Sequence, residues 1–506
     1  MTTFVEVAVN VPQVSGTFHY HLPAELEGIV QPGHLVEVPF GRQQVQGVVF
    51  RFVDQPEVPE TRPVMALMDS EAVLTPDQIQ LAGELAESTL APLAACIDLM
   101  IPPGLAQQAD TLYQKSSPVL PVSHKLTTLQ NRILKLLMER GALRGRQLDN
   151  AFRHADWRAS IRSLVNQGLV STKTVLPPPT VNPKTIRTAR LACAPELAKE
   201  QMPSLGRDGS PALQRRQAML NLLLREAGEV EIAWLYAESG GKREDLKALE
   251  KRGLAQLGEA EVWRDPLESM EFVASEPPKL TSDQSSAWSE IQAGIHAVAN
   301  GKGESPYLLH GVTGSGKTEI YLRAVQETLQ LGKQAIVLVP EIALTPQTIR
   351  RFISRFPGQV GSMHSRLSPG ERFDTWRRAR QGEISLVIGP RSALFIPFAR
   401  LGLIVVDEFH DDTYYQSESL PHYHAREVAV SYARIAGAVC LMGSATPDIV
   451  SRYHAAERGW HYLSLPLRIM AHRQAVESQV KKLGISSQYR LVSDEAETID
   501  LPPVEI

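Results

Sequence analysis

The sequence is poor in cysteine. Its 506 residues include three, Cys96, Cys193 and Cys440, and none stands in a CxxC pair. That excludes an all-cysteine tetrahedral zinc site built from this chain and a disulfide-stapled scaffold, and it fits a reducing, cytoplasmic setting. Net charge is slight: a formal −4 excludes a chain that clings to nucleic acid over its whole surface, so any basic surface must be local. No apolar run is long enough to span a bilayer, so no membrane partner is expected. The start, MTTFVEVAVNVP, has neither the basic region nor the long apolar region of a signal peptide. What is present, 43% hydrophobic and 21% charged residues, is ordinary for a globular protein with room for about three or four domains.

Residues 1–105 read as a strand-rich domain. VEVAVNV alternates, HLVEVPF and QGVVFRFV are β-branched and aromatic, and Gly16, Gly33, Gly41 and Gly47 punctuate them. TPDQIQLAGELAEST follows as a helix, with Thr75 as its N-cap before Pro76. Residues 124–176 suit a helix-turn-helix with a wing: NRILKLLMERG has helical spacing, and DWRASIRSLVNQGLVSTKTVL gives a helix, a stop at Gly168 and a β tail. Residues 177–211, opening on PPPTVNP, read as a linker. Residues 212–263 repeat the helical pattern, REDLKALEKRGLAQL paralleling SIRSLVNQGLVST, as a second winged-helix-like unit. The first copy carries ten basic against three acidic side chains, a net +7, and the second a net −1. The first is therefore the better candidate for phosphate contacts.

The grammar changes near residue 280. Apolar strands such as KQAIVLVP, ISLVIG, LGLIVVDE and GAVCLMGSA alternate with amphipathic helices. Strands apolar throughout are buried on both faces, so residues 280–466 read as a P-loop lobe with a mostly parallel sheet covered by helices. The whole is a multidomain chain mixing α/β and α+β parts, with residues 467–506 as a tail.

Within the lobe, GVTGSGKT matches GxxxxGK[ST] between a strand, PYLLHG, and a helix, TEIYLRAVQETLQ. Gly311, Gly314 and Gly316 would let backbone N–H groups close around phosphate oxygens at a helix N-terminus. Lys317 would reach the β- and γ-phosphates of ATP, and the Thr318 hydroxyl would ligate Mg2+. LIVVDEFH supplies Asp407 for the same metal and Glu408 to orient and deprotonate the attacking water. Two adjacent acids at a buried strand end are costly without a cation. In GSATP, Ser444 and Thr446 would link the metal site to a moving element. LVPEIALTPQ offers Thr345 and Gln347 to a ligand backbone, and IGPRSALF offers Arg391 and Ser392, all at strand ends where such sheets bind ligands. Gln284 in LTSDQ would face an adenine edge. The shorter stretches are ordinary composition alone; their order, P-loop then DExH then SAT, is the signal.

Together GVTGSGKTE, VPEIALTPQT, IGPRSALF, VDEFHD with YHARE, and GSATP resemble motifs I, Ia, Ib, II and III of the primosomal replication-restart DNA helicases of superfamily 2. FHY and VPFGRQ resemble that family's DNA 3′-end-binding domain, and the winged-helix unit just before the motor is similar to the family's. The resemblance runs to about Leu465. It implies ATP-driven unwinding with 3′-to-5′ polarity, recognition of abandoned forks, binding of forked and single-stranded DNA, and reloading of the replicative helicase. It also implies single-stranded DNA-binding protein and primosome-loading proteins as partners. By resemblance, Phe18, Tyr20 and Gly41 line the 3′-end pocket with His19 and Arg42 beside them. An aromatic ring there stacks a base, and a glycine lets the backbone approach closely. His410 completes motif II, and Tyr423 and Arg426 lie in the segment that couples DNA to ATP.

The chain departs from the family pattern at several positions. His19 stands where the family usually has an acid, Phe409 replaces the second Glu of DEEH, and Pro421 and His422 stand where an aromatic is usual. The first winged-helix copy looks like extra material relative to shorter members. After Thr446 only 60 residues follow, whereas a second RecA-like lobe needs on the order of 150. The expectation is a truncated chain without motifs IV to VI, the family's zinc ligands or the second lobe's arginine, hydrolysing ATP poorly and unwinding no DNA. The alternative is a fork-DNA-binding module with an ATP-binding, weakly hydrolysing site.

Overall fold

Alternation in the first strands builds a six-stranded sheet in the order β5-β2-β1-β4-β3-β6. The strands are β1 (Phe4–Val9), β2 (Phe18–His21), β3 (Leu35–Phe40), β4 (Gln43–Val53), β5 (Arg62–Pro63) and β6 (Ala66–Leu67). The computed structural model describes all residues except 1–2, 12–13, 15, 42, 106–109, 117–125, 153–154, 176–180, 227, 269, 274–275, 469–489, 492–498 and 501–506. β1 pairs antiparallel with β2, Val5 opposite Tyr20 and Glu6 opposite His19. Two helices close the region, α1 (Pro76–Thr89) and α2 (Leu93–Asp98). Thr75 caps α1 in a capping box with Gln78, and Pro76 sits where its missing N–H costs nothing.

The chain divides into two compact units: residues 182–265 form one and everything else forms the other. In the larger unit, β7 (Asp110–Lys115), α3 (Thr128–Arg140), β8 (Leu143–Arg144), α4 (Gly145–Ala151), α5 (Trp157–Asn166) and β9 (Val170–Val175) follow one another. The smaller unit runs β10 (Lys184–Leu191), α6 (Pro195–Gln201), α7 (Pro211–Arg225), β11 (Val230–Glu231), α8 (Ile232–Ser239), α9 (Arg243–Lys251) and β12 (Ala255–Val262). The sheets are ordered β8-β7-β9 and β11-β10-β12. Each thus runs strand, helix, short strand, two helices and strand with the leading strand central, the second copy carrying the extra helix α6 after its leading strand.

This corrects two expectations. Residues 177–211 are not simply a linker, because Lys184–Leu191 pairs along its whole length with β12. Nor does the first copy begin with its helices: its β tail, β9, pairs with β7, a strand that precedes them. Both leading strands lie outside the boundaries read from helical periodicity. The smaller unit has its own core around Leu213, Met219, Leu220, Leu235, Leu246 and Leu249. Beside it Asp245, 1% exposed, pairs with Arg215 at 2.8 Å and Arg216 at 3.1 Å.

The remaining elements form a doubly wound lobe. They are α10 (Ser282–Ala299), β13 (Tyr307–Gly311), α11 (Lys317–Gln330), β14 (Gln334–Leu338), α12 (Pro346–Arg355), β15 (Val360–Ser362), α13 (Pro369–Gln381), β16 (Leu386–Gly389), β17 (Leu401–Asp407), β18 (Tyr415–Gln416), β19 (Tyr423–His424), α14 (Ala425–Ala436), β20 (Val439–Ser444), α15 (Ile449–Glu457) and β21 (His461–Leu465). Seven strands lie in the order β15-β16-β14-β17-β20-β13-β21, and every neighbouring pair is parallel. Alternate residues of one strand serve opposite faces. Leu403 and Val405 pack with α10, α11 and α12 residues, whereas Ile404 and Val406 pack with α13 and α14 residues.

That second face also takes the N-terminal helices. Leu81, Leu85 and Met100 share one core with Trp376, Phe398 and Tyr432. Gln78 Nε2 donates to Phe395 O at 2.8 Å, Trp376 Nε1 donates to Met100 O at 3.1 Å, and Arg380 bridges Asp69 and Glu71. Of the expected tail, only a short antiparallel pair, Arg490–Leu491 with Ile499–Asp500, falls after Arg468 among the described residues. No described helix is long and apolar enough to cross a membrane.

Candidate functional site

The strand ends of the parallel sheet bring the motif loops to one edge. After β13 the chain turns through Val312–Gly316 into α11. Gly314 and Gly316 both have φ of +84°, a backbone that side chains strain. At Gly311 a β-carbon would lie 2.5 Å from Ser315 Oγ and 3.2 Å from Lys317 Cγ, so only glycine lets the loop fold back on itself. Lys317, 7% exposed, donates Nζ to Gly311 O at 2.8 Å and lies 3.4 Å from Glu408 Oε1. Thr318 follows it, partly exposed in the first turn of α11. Ser315 Oγ is buried with no partner among the described residues.

Gln284 does not present a free edge to a base. Its Oε1 accepts the Thr281 N–H at 3.0 Å, and its Nε2 donates to Ser315 O at 3.0 Å. Both ends of the amide are spent, and the side chain props the glycine loop from behind.

Opposite the loop, Asp407 ends β17. Its Oδ1 accepts Tyr321 Oη–H at 2.9 Å and Glu408 N–H at 3.1 Å. Burial pushes its carboxyl up to about 6, with the charge of Glu408 acting in the same direction. Glu408 has φ of +45°, a strained conformation for a side chain with a Cβ, and such strain clusters at functional sites. Its other oxygen lies 3.6 Å from His410 Nδ1. That ring nitrogen is 2.8 Å from Ser444 Oγ, which accepts the Thr446 N–H at 2.9 Å. Polar contacts therefore run Lys317–Glu408–His410–Ser444–Thr446, from the loop to the end of β20. Phe409 turns the other way, fully buried, with the Arg426 guanidinium 5.9 Å over its ring.

The residues fit a magnesium nucleotide. The loop has the glycines, an orphaned buried hydroxyl and a lysine; Thr318 and Asp407 would hold the ion. Among the described residues no group of three or more His, Cys, Asp or Glu is gathered for a metal. The remaining ligands would be phosphate oxygens and water, as is usual for magnesium.

The other expected contacts divide into exposed and engaged. Gln347 and Ser392 are exposed. Thr345, also exposed, spends its hydroxyl capping α12 through the Thr348 N–H at 3.2 Å. Arg391 is held by the fold, donating Nη1 to Tyr415 O at 2.7 Å and Thr413 O at 3.2 Å. It clamps the segment after motif II. Tyr423 is a core residue, 5% exposed, edge-on to Phe395 at 5.7 Å. Arg426 pairs with Asp448 and with Glu427.

In the N-terminal sheet, Phe18 is edge-on to Phe40 at 4.9 Å and partly exposed. Tyr20 is 4% exposed and donates to Pro39 O at 3.1 Å, so its ring belongs to the sheet core rather than to an open pocket. Gly41 has φ of +60°, and its carbonyl accepts Arg62 Nη1–H at 2.9 Å. Arg42 lies outside the described residues. His19 Nε2 is 3.2 Å from Glu6 Oε1, and Arg51 takes Glu6 in a fork at 2.7 and 3.0 Å. Burial works to raise the Glu6 carboxyl, but Arg51 and then His19 outweigh it and hold the group below its usual range. An acid therefore does stand beside position 19, supplied across the strand pair.

Two residues near the nucleotide loop had no place in the motif reading. Tyr321 passes in sequence for an apolar helix position. Arg468 follows β21, a strand that no motif marks; Leu465 O accepts Val312 N–H at 3.3 Å, and a β-carbon on Gly314 would lie 3.1 Å from Arg468 Nε. Only the parallel pairing of β21 with β13 brings that arginine to the loop.

A parallel sheet with a P-loop at one strand end and DExH at another defines the class, a helicase lobe of superfamily 2. Residues 281–452 match the DEAD/DEAH box helicase family, and residues 6–102 match the 3′DNA-binding domain (3′BD) of PriA. Replication restart protein PriA of Bacillus subtilis is 34% identical over 92% of this chain and 56% of its own length. That of Synechocystis is 34% identical over 92% and 55%, and that of Haemophilus influenzae 43% identical over 41% and 27%. Over 92% of its own length the chain is similar to the PriA replication restart proteins, and it spans about half the length of the first of these relatives. Among solved structures, RecG bound to a three-way DNA junction is similar with 22% identity, a TM-score of 0.30, and coverage of 41% of this chain and 28% of that one.

Proposed function

We propose that the chain is the fork-binding and first motor portion of an ATP-dependent 3′-to-5′ DNA helicase of replication restart. It recognises stalled or abandoned forks through its N-terminal sheet and winged-helix-like units and initiates primosome assembly in the cytoplasm. One observation carries the reading: a 3′DNA-binding domain shares a continuous apolar core with a lobe whose strand ends bring Lys317, Glu408 and His410 together. Bound ATP with its magnesium supplies the phosphoanhydride whose hydrolysis drives the cycle. Lys317 binds phosphate, Thr318 and Asp407 hold the ion, and Glu408 orients and deprotonates the attacking water. His410 and Ser444 carry the state of that corner to Thr446, next to α15. Phe18 and Gly41 receive the 3′ end of a strand, and Thr345, Gln347 and Ser392 meet its backbone.

Replacing Lys317 with Ala separates this from the second reading, a fork-binding module with an ATP site that hydrolyses weakly. Under the first, K317A loses DNA-stimulated phosphate release by about 10²-fold or more while fork affinity stays within about twofold. Phosphate release that is already negligible in the parent chain, with fork binding intact, favours the module.

A further inference from the structure

Tyr321 sits one helical turn beyond Thr318, four residues after Lys317, on the face of α11 that meets the sheet. Its ring is 1% exposed inside an otherwise apolar cluster with Leu309, Val405 and Leu441. A phenylalanine would fill that space without a hydroxyl to satisfy. The hydroxyl points instead at the end of β17 and donates to Asp407 Oδ1 at 2.9 Å. The room it needs is cut into the neighbouring strand: Gly443 is in register with Asp407, and a β-carbon at Gly443 would collide with Tyr321 Oη. The hydroxyl is therefore wedged between the nucleotide helix, the acid-bearing strand and β20.

The second donor to the same oxygen is the Glu408 N–H at 3.1 Å. Oδ1 is thus held twice, while Oδ2 accepts no hydrogen bond from any described residue. A carboxylate fixed through one oxygen offers the other in one orientation, and the partners that orient a metal-binding carboxylate control metal affinity strongly.

We propose that Tyr321 is the positioning residue for the magnesium carboxylate. It locks the Asp407 side chain so that Oδ2 meets the ion of a bound nucleotide, and Gly443 exists to admit its hydroxyl. This rests on the magnesium-nucleotide reading of the loop. Tyr414 gives the control: its hydroxyl touches the same residue but donates to the Asp407 backbone oxygen at 2.8 Å, which leaves the carboxylate free.

The test is Mg2+ titration of fluorescent methylanthraniloyl-ADP binding to the whole chain, for the parent, Y321F and Y414F, with binding in EDTA and the melting temperature recorded for each. In Y321F the half-saturating Mg2+ concentration rises by about tenfold or more, binding in EDTA stays within about twofold, and Y414F titrates like the parent. An unchanged midpoint in Y321F overturns the proposal. So does an equal shift in Y414F, which would mark general loosening of the strand end. If the parent binds the nucleotide equally well in Mg2+ and EDTA, the magnesium reading itself fails and the proposal fails with it. If Y321F does not fold, Tyr321→Met, an apolar side chain of flexible shape, takes its place with the same expectation.

Discussion

Glu408 pays for its place in the backbone. At φ of +45° a glycine would be relaxed where a glutamate is strained, so Glu408→Gly is expected to be at least as stable as Glu408→Gln, by about 0.5–1 kcal/mol. Both lose phosphate release. Thermal melts beside a single-turnover assay check the pair, and a clearly less stable Glu408→Gly would show that the carboxylate's contacts outweigh the strain. Asp407 makes the complementary case. Its carboxyl is raised to about 6 in the fold, so the folded protein binds that proton more tightly than the unfolded chain. This contribution to stability is present below the unfolded value near 4 and is lost as pH rises through 6. Asp407→Asn keeps the Tyr321 hydrogen bond and has no charge to bury. In EDTA it should be more stable than the parent by about 1–3 kcal/mol at pH 7.5, with the gain vanishing near pH 4. Denaturant melts at the two pH values decide it.

Elements explain what could be read in advance and what could not. The P-loop and DExH strand were legible because each needs rare residue types at fixed spacing beside a long apolar run. Gly311 to Thr318 and Asp407 to His410 meet that condition. Gln284 was legible as a residue but not as a contact, because its partner, Ser315 O, is a backbone atom 31 positions away. Arg391, expected at a ligand backbone, and Tyr423, expected in the coupling segment, have partners inside the fold that sequence does not reveal for a similar reason. Sequence shows a guanidinium or a ring but not the carbonyls and side chains that occupy it. The leading strands β7 and β10 were missed because DTLYQK and KTIRTARL carry no run of apolar residues; they become strands through pairing across 55 to 78 residues. For β10 that pairing can be tested. The smaller unit has its own core, so a fragment spanning 182–265 is expected to fold alone, and one starting at 192 to remain largely unfolded by circular dichroism. Within the fragment, Asp245→Ala strands two guanidiniums half-buried beside it and should cost about 2–4 kcal/mol in a urea melt.

At the scale of the whole molecule, the N-terminal domain and the motor lobe are separate in sequence but continuous in their interior. Leu81 and Trp376 belong to one cluster, so a cut in that cluster should be felt on both sides. Leu81→Ala is expected to lower stability by about 2–4 kcal/mol. It should increase hydrogen exchange in α13 and α14 as well as in α1. Protection lost only within residues 1–105 would mean that the shared cluster does not couple the two.

The docking of α1 and α2 on the lobe also sets a rule for anyone cutting this protein. The divisions suggested by family boundaries are not places where water already reaches. A motor fragment begun at residue 266 would lay bare the surface now covered by Leu81, Leu85 and Met100, and exposed apolar ground of that kind invites self-association. The shortest well-behaved motor is expected to keep the N-terminal sheet as its lid, so that the part matching a 3′DNA-binding domain is also what keeps the motor lobe soluble.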